Sequence, residues 1–224
     1  MDALRVTNLC HSFASGKASI EPLRGVDLVV EKGQFVAITG PSGCGKTTLL
    51  LACGAMRKPT SGVVSIDDED VYALTTSRRA ALRSTKIGYL FQTMELLPYL
   101  SVLDNLLLVP GASKPDAEAW LSKLGLTDRT HHRSDSLSQG EMQRAAIARA
   151  LMTDPTLLLA DEPTGNLDTE TGRDILKLLT ELNGDDGLTI VMITHDDSIA
   201  ADADVCYRMQ DGTLEAAPPE LQVA

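Results

Sequence analysis

The chain has 224 residues, long enough to bury a sizeable core as one large domain or two small ones. Its 43% hydrophobic and 23% charged residues are the balance of a globular protein, and a formal net charge of −11 argues against a nonspecific DNA or RNA binder, which needs a basic face. The local basic group Arg78, Arg79 and Arg83 reads as a solvated helix face, and four widely spaced cysteines with no C-x-x-C pair read as reduced thiols of a cytosolic protein.

In chain order, Leu4 to Cys10 alternates as a strand, Ala14 to Lys17 reads as a loop, and Val26 to Val30 as a second strand. Glu31-Lys32-Gly33 turns the chain into Gln34 to Thr39, a mostly apolar, β-prone run that reads as buried. It leads into Gly40-Pro41-Ser42-Gly43-Cys44-Gly45-Lys46-Thr47, followed by Thr48, and Thr47 to Ala55 reads as a helix. A strand, the pattern G-x-x-x-x-G-K-[ST] and a helix together predict a phosphate-binding loop. Its glycines let backbone N–H groups curl around phosphate oxygens, and the helix N-terminus adds partial positive charge. Lys46 is placed to reach the β- and γ-phosphates, and the Thr47 hydroxyl to ligate Mg²⁺. Cys44, inside the loop, reads either as redox-sensitive or as a small tolerated loop residue.

Lys58 to Gly62 reads as a turn, Val63 to Ile66 as a short strand, Thr76 to Lys86 as a helix and Ile87 to Phe91 as a buried strand. From about Thr93 to Ser136, Leu-rich helical pieces are broken by Pro98, Pro110, Gly111 and Pro115, which predicts a helical insert in an otherwise α/β chain. Gly140 to Met152 reads as a helix ended by Asp154-Pro155, Leu157 to Ala160 as an apolar strand, and Thr169 to Leu182 as a helix. Thr189 to Thr194 is another buried strand, followed by a short helix, two edge strands near Val205 and Thr213, and a loose tail from Ala216. Strands alternating with helices predict a parallel sheet covered on both faces.

Two further motifs carry chemistry. The apolar strand Leu157 to Ala160 ends in Asp161 and Glu162. Asp161 can hold Mg²⁺, and Glu162 can polarise an attacking water as general base; alone, the pair reads equally as a turn that caps a helix. Ser138-Gln139-Gly140-Glu141 opens a helix, where a hydroxyl, free N–H groups and the helix dipole form an anion site; the plainer reading is an N-cap at Ser138.

Together with the phosphate loop, Leu137-Ser138-Gln139-Gly140-Glu141 resembles the ATP-binding cassette (ABC) ATPases, a likeness covering roughly residues 4 to 215. The resemblance implies an α/β fold: a RecA-like P-loop NTPase parallel-sheet core, an N-terminal antiparallel β subdomain and a helical subdomain inserted at about 93–150, all in one domain of 1–224. It implies that Phe13 stacks on adenine, where the family more often has Tyr, and that Gln92 senses Mg²⁺. It also implies that Ser138 and Gly140, with Gln139 and Glu141, close in trans on the γ-phosphate bound to a second subunit. Asp168, in Gly165-Asn166-Leu167-Asp168, would cross that dimer interface, and His195 would contact the γ-phosphate. One departure is Gln139, where the family usually has glycine; a need for φ > 0 there would cost about a kcal/mol.

Phe91-Gln92, Leu96-Leu97-Pro98, Leu100, Asn105 and Pro163 to Asp168 resemble the lipoprotein-release, macrolide-export and cell-division branch. That likeness implies a homodimeric ATPase with Mg²⁺ as cofactor, energising an integral membrane permease that docks near Gln92 to Leu108; the apolar residues there equally suit a helical-lobe core. No signal-peptide pattern and no apolar run of ~18 residues is seen, so the expected place is cytoplasmic, peripheral on the cell membrane through the permease and without direct insertion. A cell-division role gating a cell-wall enzyme stays open. A soluble cassette ATPase of DNA repair or translation is disfavoured by length and charge.

Overall fold

The computed structural model describes residues 1–15, 18–196, 200 and 202–217. The elements run β1 (Asp2–Ser15), β2 (Ala18–Glu31), β3 (Phe35–Thr39), α1 (Lys46–Cys53), β4 (Ser61–Ile66), β5 (Glu69–Asp70), α2 (Thr76–Lys86) and β6 (Ile87–Leu90). They continue with α3 (Val102–Leu107), α4 (Lys114–Lys123), α5 (Gln139–Leu151), β7 (Leu157–Asp161), α6 (Thr169–Asp186), β8 (Thr189–Ile193), β9 (Val205–Gln210) and β10 (Thr213–Ala216).

The strands form two sheets. One is antiparallel, in the order β2-β1-β4-β5. The other has the order β10-β9-β3-β8-β7-β6, parallel throughout except for β10, which runs antiparallel to β9. Every residue of β3, β7 and β8 is buried, as expected of central parallel strands covered on both faces. Side chains of β3 alternate between two cores. Phe35 and Ala37 face the core formed with α3 to α6, whereas Val36 and Ile38 face the core shared with α1 and the antiparallel sheet.

This topology sets the site. The order β3-β8-β7-β6 brings four carboxyl ends side by side, and they lead into Gly40–Thr47, His195, Asp161-Glu162 and Gln92 respectively. Ligands of open α/β sheets bind at that edge.

Three expectations are corrected. Ala14 and Ser15 end β1 instead of opening a loop, and Ala216 ends β10 instead of starting a tail. The strand near Val205 is not an edge: β9 lies between β3 and β10. Residues 16–17 of the expected loop, the short helix expected after Thr194 (197–199 and 201) and the tail from 218 fall outside the described residues.

Candidate functional site

The phosphate loop leaves β3 and enters α1 through two glycines whose backbone other residues cannot adopt freely. Gly40 has φ 147° and Gly45 φ 114°; a Cβ at Gly40 would overlap the Met209 carbonyl, and one at Gly45 the Pro22 carbonyl. No side chain caps α1, so its first N–H groups stay free of side-chain acceptors. Lys46 is buried, its ammonium donating to the carbonyls of Gly40 (2.7 Å) and Pro41 (3.0 Å) at the loop rim. Cys44 is buried within the core beside α1, which favours its reading as a small residue tolerated by the loop. An open groove of about 300 Å³ runs over the loop and is closed from outside by Pro22, Gln92 and Glu162.

The two carboxylates at the β7 end take different surroundings, Glu162 lining the groove and Asp161 lying behind Thr47. Asp161 is buried and accepts from the Thr47 hydroxyl at 3.4 Å. Burial, reinforced by the Glu162 charge, holds its carboxyl above the usual range against the opposing pull of Thr47 and Lys46. Glu162 sits in the left-handed region (φ 49°), held by its N–H bond to the Ile193 carbonyl at 3.0 Å. Its Oε2 lies 3.3 Å from Gln92 Nε2 and 3.5 Å from His195 Nδ1, so groups beyond β6 and β8 converge on one carboxylate oxygen.

The turn after Glu162 is closed by Gly165 N–H donating to the Glu162 carbonyl (3.1 Å), and Asn166 Nδ2 donates to the Gln92 carbonyl (3.1 Å). Asp168 is the N-cap of α6: it accepts from the N–H of Glu170 and Thr171 and from the Thr171 hydroxyl (2.6 Å). That hydroxyl first, and then the N–H donors, hold its carboxyl below the usual range.

Ser138 caps α5 in a full capping box: its hydroxyl accepts from Glu141 N–H (3.2 Å) and Glu141 accepts from Ser138 N–H (2.8 Å). That backbone donor, followed by Arg129 at 2.7 Å, keeps Glu141 ionised below the usual range. Gln139 is the first helical residue and is not among the described residues with positive φ, so the strain that its place in the motif raised does not arise. Gly140 meets a different demand: a Cβ there would stand 2.6 Å from Thr171 Cγ2 on α6. Ser138 and Gln139 are exposed and do not line the groove of their own chain.

Phe13, on β1, also lies off that groove. Its ring meets His11 edge-on at 4.5 Å and the Arg57 guanidinium at 5.0 Å. Pro22 and Arg57 carried no recognisable signal in sequence, since only the fold brings them to the loop and to Phe13. Asn166 lies within a recognised motif, but its grip on Gln92 depends on a contact spanning 74 residues.

A parallel strand feeding a phosphate loop, with a second strand end supplying an acidic pair across the groove, defines a P-loop nucleoside triphosphatase. The chain belongs to the ABC transporter family, whose profile matches residues 23–165. It is 46% identical over 226 residues to the lipoprotein-releasing system ATP-binding protein LolD 2 of Rhodopirellula baltica, covering 95% of this chain and 88% of that one. It is 41% identical over 224 residues to the macrolide export ATP-binding/permease protein MacB of Syntrophobacter fumaroxidans, covering 96% of this chain but only 31% of that longer protein. Among solved structures, a dimeric bacterial ABC transporter cassette superposes with TM-score 0.87 at 37% identity, covering 95% of this chain and 96% of that one. A cassette in a dimeric post-hydrolysis state bound to ADP and phosphate gives TM-score 0.86 at 35% identity, covering 95% and 98%. The chain is an ABC transporter ATPase subunit.

Proposed function

We propose that the subunit hydrolyses ATP to energise a separate membrane permease, in lipoprotein or lipid release or in export, with Glu162 as general base. The observation that carries this reading is the Glu162 carboxylate, held through Oε2 by Gln92 and His195 at the wall of the phosphate groove. In this mechanism the loop Gly40 to Thr48, through its backbone N–H groups from Ser42 onward, and the Lys46 ammonium bind the phosphates, and Phe13 stacks on adenine. Glu162 orients the attacking water in line with the γ-phosphorus and accepts its proton, while His195 steadies the γ-phosphate.

The Thr47 hydroxyl, the Asp161 carboxylate and the Gln92 amide form an all-oxygen donor set at the groove, which fits Mg²⁺. Mg²⁺ held there would neutralise charge developing on the phosphate oxygens. Ser138, Gln139, Gly140, Glu141 and Asp168 would serve the nucleotide of a second copy. The exposure of Ser138 and Gln139, away from their own groove, supports that arrangement, as do the dimeric cassettes of similar fold. Residues 1–224 act as one cassette with the helices of 93–150 as its inserted subdomain. The permease meets the face near Gln92 to Leu108, where Tyr99 and Leu108 are exposed, and gives the protein a peripheral place on the membrane. The lipoprotein-releasing and macrolide-export relatives support the branch.

The test is Glu162→Gln. Hydrolysis is expected to fall by about 10² to 10⁴ while ATP binding persists; hydrolysis at the parental rate overturns the assignment. Affinity purification of the same variant with ATP from detergent-solubilised membranes is expected to bring down a permease, and recovery without one counts against the transport reading.

A further inference from the structure

Between β6 and α3 the chain runs without regular structure, starting at Phe91-Gln92. Side chains from distant elements hold its backbone. Asn166 donates to the Gln92 carbonyl at 3.1 Å. Arg149 donates through Nη2 to the Met94 carbonyl (3.2 Å) and through Nη1 to the Glu95 carbonyl (2.5 Å). Farther along, the fully buried Asn105 accepts from Leu97 N–H (2.7 Å) and donates to the Leu97 carbonyl (3.2 Å).

Arg149 stands out among these anchors. It sits in the last turn of α5, the helix whose first turn follows Ser138. Its guanidinium is half-buried, and among the described residues no carboxylate lies within ion-pair distance of it. Two of its donors go to consecutive carbonyls of an irregular segment two and three residues past Gln92. A planar fork can satisfy two carbonyls at once and fix both their positions, which a lysine ammonium does poorly. At 1.5 Å per residue, the 11 residues of α5 from its exposed cap Ser138 to Arg149 span about 16 Å.

We propose that Arg149 is a positioning residue that locks the Gln92 segment to α5, so that displacement of the Ser138 end is felt at Gln92 in the groove of the same chain. This deepens the proposed function and rests on Gln92 acting at the nucleotide site. If Ser138 to Gly140 close on the nucleotide of a second copy, α5 becomes a strut linking one site to the other, with Arg149 as its hydrogen-bonded end beside the apolar packing of Met94 and Leu96.

The experiment is a double-mutant cycle on the purified full chain, read by steady-state ATP hydrolysis, equilibrium ATP binding and hydrogen exchange of the amides of 93–97. Arg149→Met is expected to lower kcat at least tenfold with the Kd for ATP within about threefold of the parent. It should also speed exchange of the 93–97 amides at least tenfold while the α5 amides stay protected. In a Gln92→Ala background the same change should cost less than twofold in kcat, because Arg149 acts only through Gln92. An equal loss in both backgrounds, or unchanged exchange at 93–97, overturns the proposal. Arg149→Lys keeps the charge without the fork and is expected to recover kcat only in part, and it carries the cycle if the methionine variant does not fold. Should Gln92→Ala alone hydrolyse ATP at the parental rate, the reading of Gln92 fails, while the exchange measurement still decides whether Arg149 anchors the segment.

Discussion

Gly140→Ala adds one methyl at the most crowded point of the Ser138 motif. The new Cβ would stand 2.6 Å from Thr171 Cγ2, against the ~3.5–4.0 Å of an ordinary carbon contact, so about 1 Å must be absorbed. Thr171 is poorly placed to yield, since its hydroxyl and its N–H both bond to Asp168, at 2.6 and 3.0 Å. Either α5 lifts away from α6 or Thr171 rotates and gives up a hydrogen bond worth about 1 kcal/mol. Overpacking of this kind costs about 1–3 kcal/mol, and replacing glycine by alanine inside a helix returns up to about 1. The expected net loss is about 1 kcal/mol, or roughly 2–4 °C in Tm for a chain of this size. With Ser138 to Gly140 in their proposed place at a second copy's nucleotide, hydrolysis should fall more steeply, at least tenfold, because an ångström of misplacement would matter more to such a site than to a fold. Thr171→Ser removes Cγ2 and keeps the capping hydroxyl, so the double variant should regain stability and activity relative to Gly140→Ala. Urea unfolding and steady-state ATPase assays on the four proteins measure the cycle. Additivity within about 0.3 kcal/mol, or a Gly140→Ala protein as stable and active as the parent, refutes the reasoning.

Two other substitutions test the phosphate loop and, at the opposite ends of β3 and β6, an ion-pair cluster. Gly45→Ala forces an alanine into φ 114° against the Pro22 carbonyl, and is expected to weaken ATP binding at least a hundredfold by equilibrium dialysis; affinity within threefold of the parent refutes the steric argument. Asp67, after β4, pairs with Lys32 at 2.7 Å and Lys86 at 3.1 Å. Burial raises its carboxyl, but the two lysines outweigh it and leave Asp67 below the usual 3.8. A carboxyl depressed in the folded state contributes stability above the unfolded value and loses it as pH falls through the folded one. Asp67→Asn should therefore be less stable than the parent at pH 7, with the gap narrowing as pH falls below about 4 in denaturant titrations. A gap of equal size at pH 6 and pH 3 contradicts that linkage.

Much of this architecture was written locally. The phosphate loop carries its own strand and helix, the bounds of α2 match the reading of Thr76 to Lys86, and Ser138 with Glu141 spells its own capping box three residues apart. Less legible were features set by partners far along the chain. Val205 to Gln210 mixes buried with exposed side chains, the pattern of an edge strand, yet its backbone pairs with β3 on one side and β10 on the other. Burial of side chains shows in sequence; the pairing of N–H and C=O groups does not. Phe13 was legible as an aromatic near the start of the chain, whereas Arg57 over its ring depends on the chain's return through α1. Glu162 could be singled out from its neighbours in sequence, but the convergence of Gln92 and His195 upon it follows from strand order alone.

That convergence makes the two oxygens of the Glu162 carboxylate inequivalent. Oε2 receives Gln92 and faces His195, while no described residue donates a hydrogen bond to Oε1. Among the described residues one oxygen is thus anchored and the other is not, so in the proposed role of Glu162 as base, proton acceptance would take a stereochemical direction set by the anchor. Aspartate at this position, one methylene shorter, would retain the charge but not that division of labour. The site asks for a glutamate by length as much as by acidity.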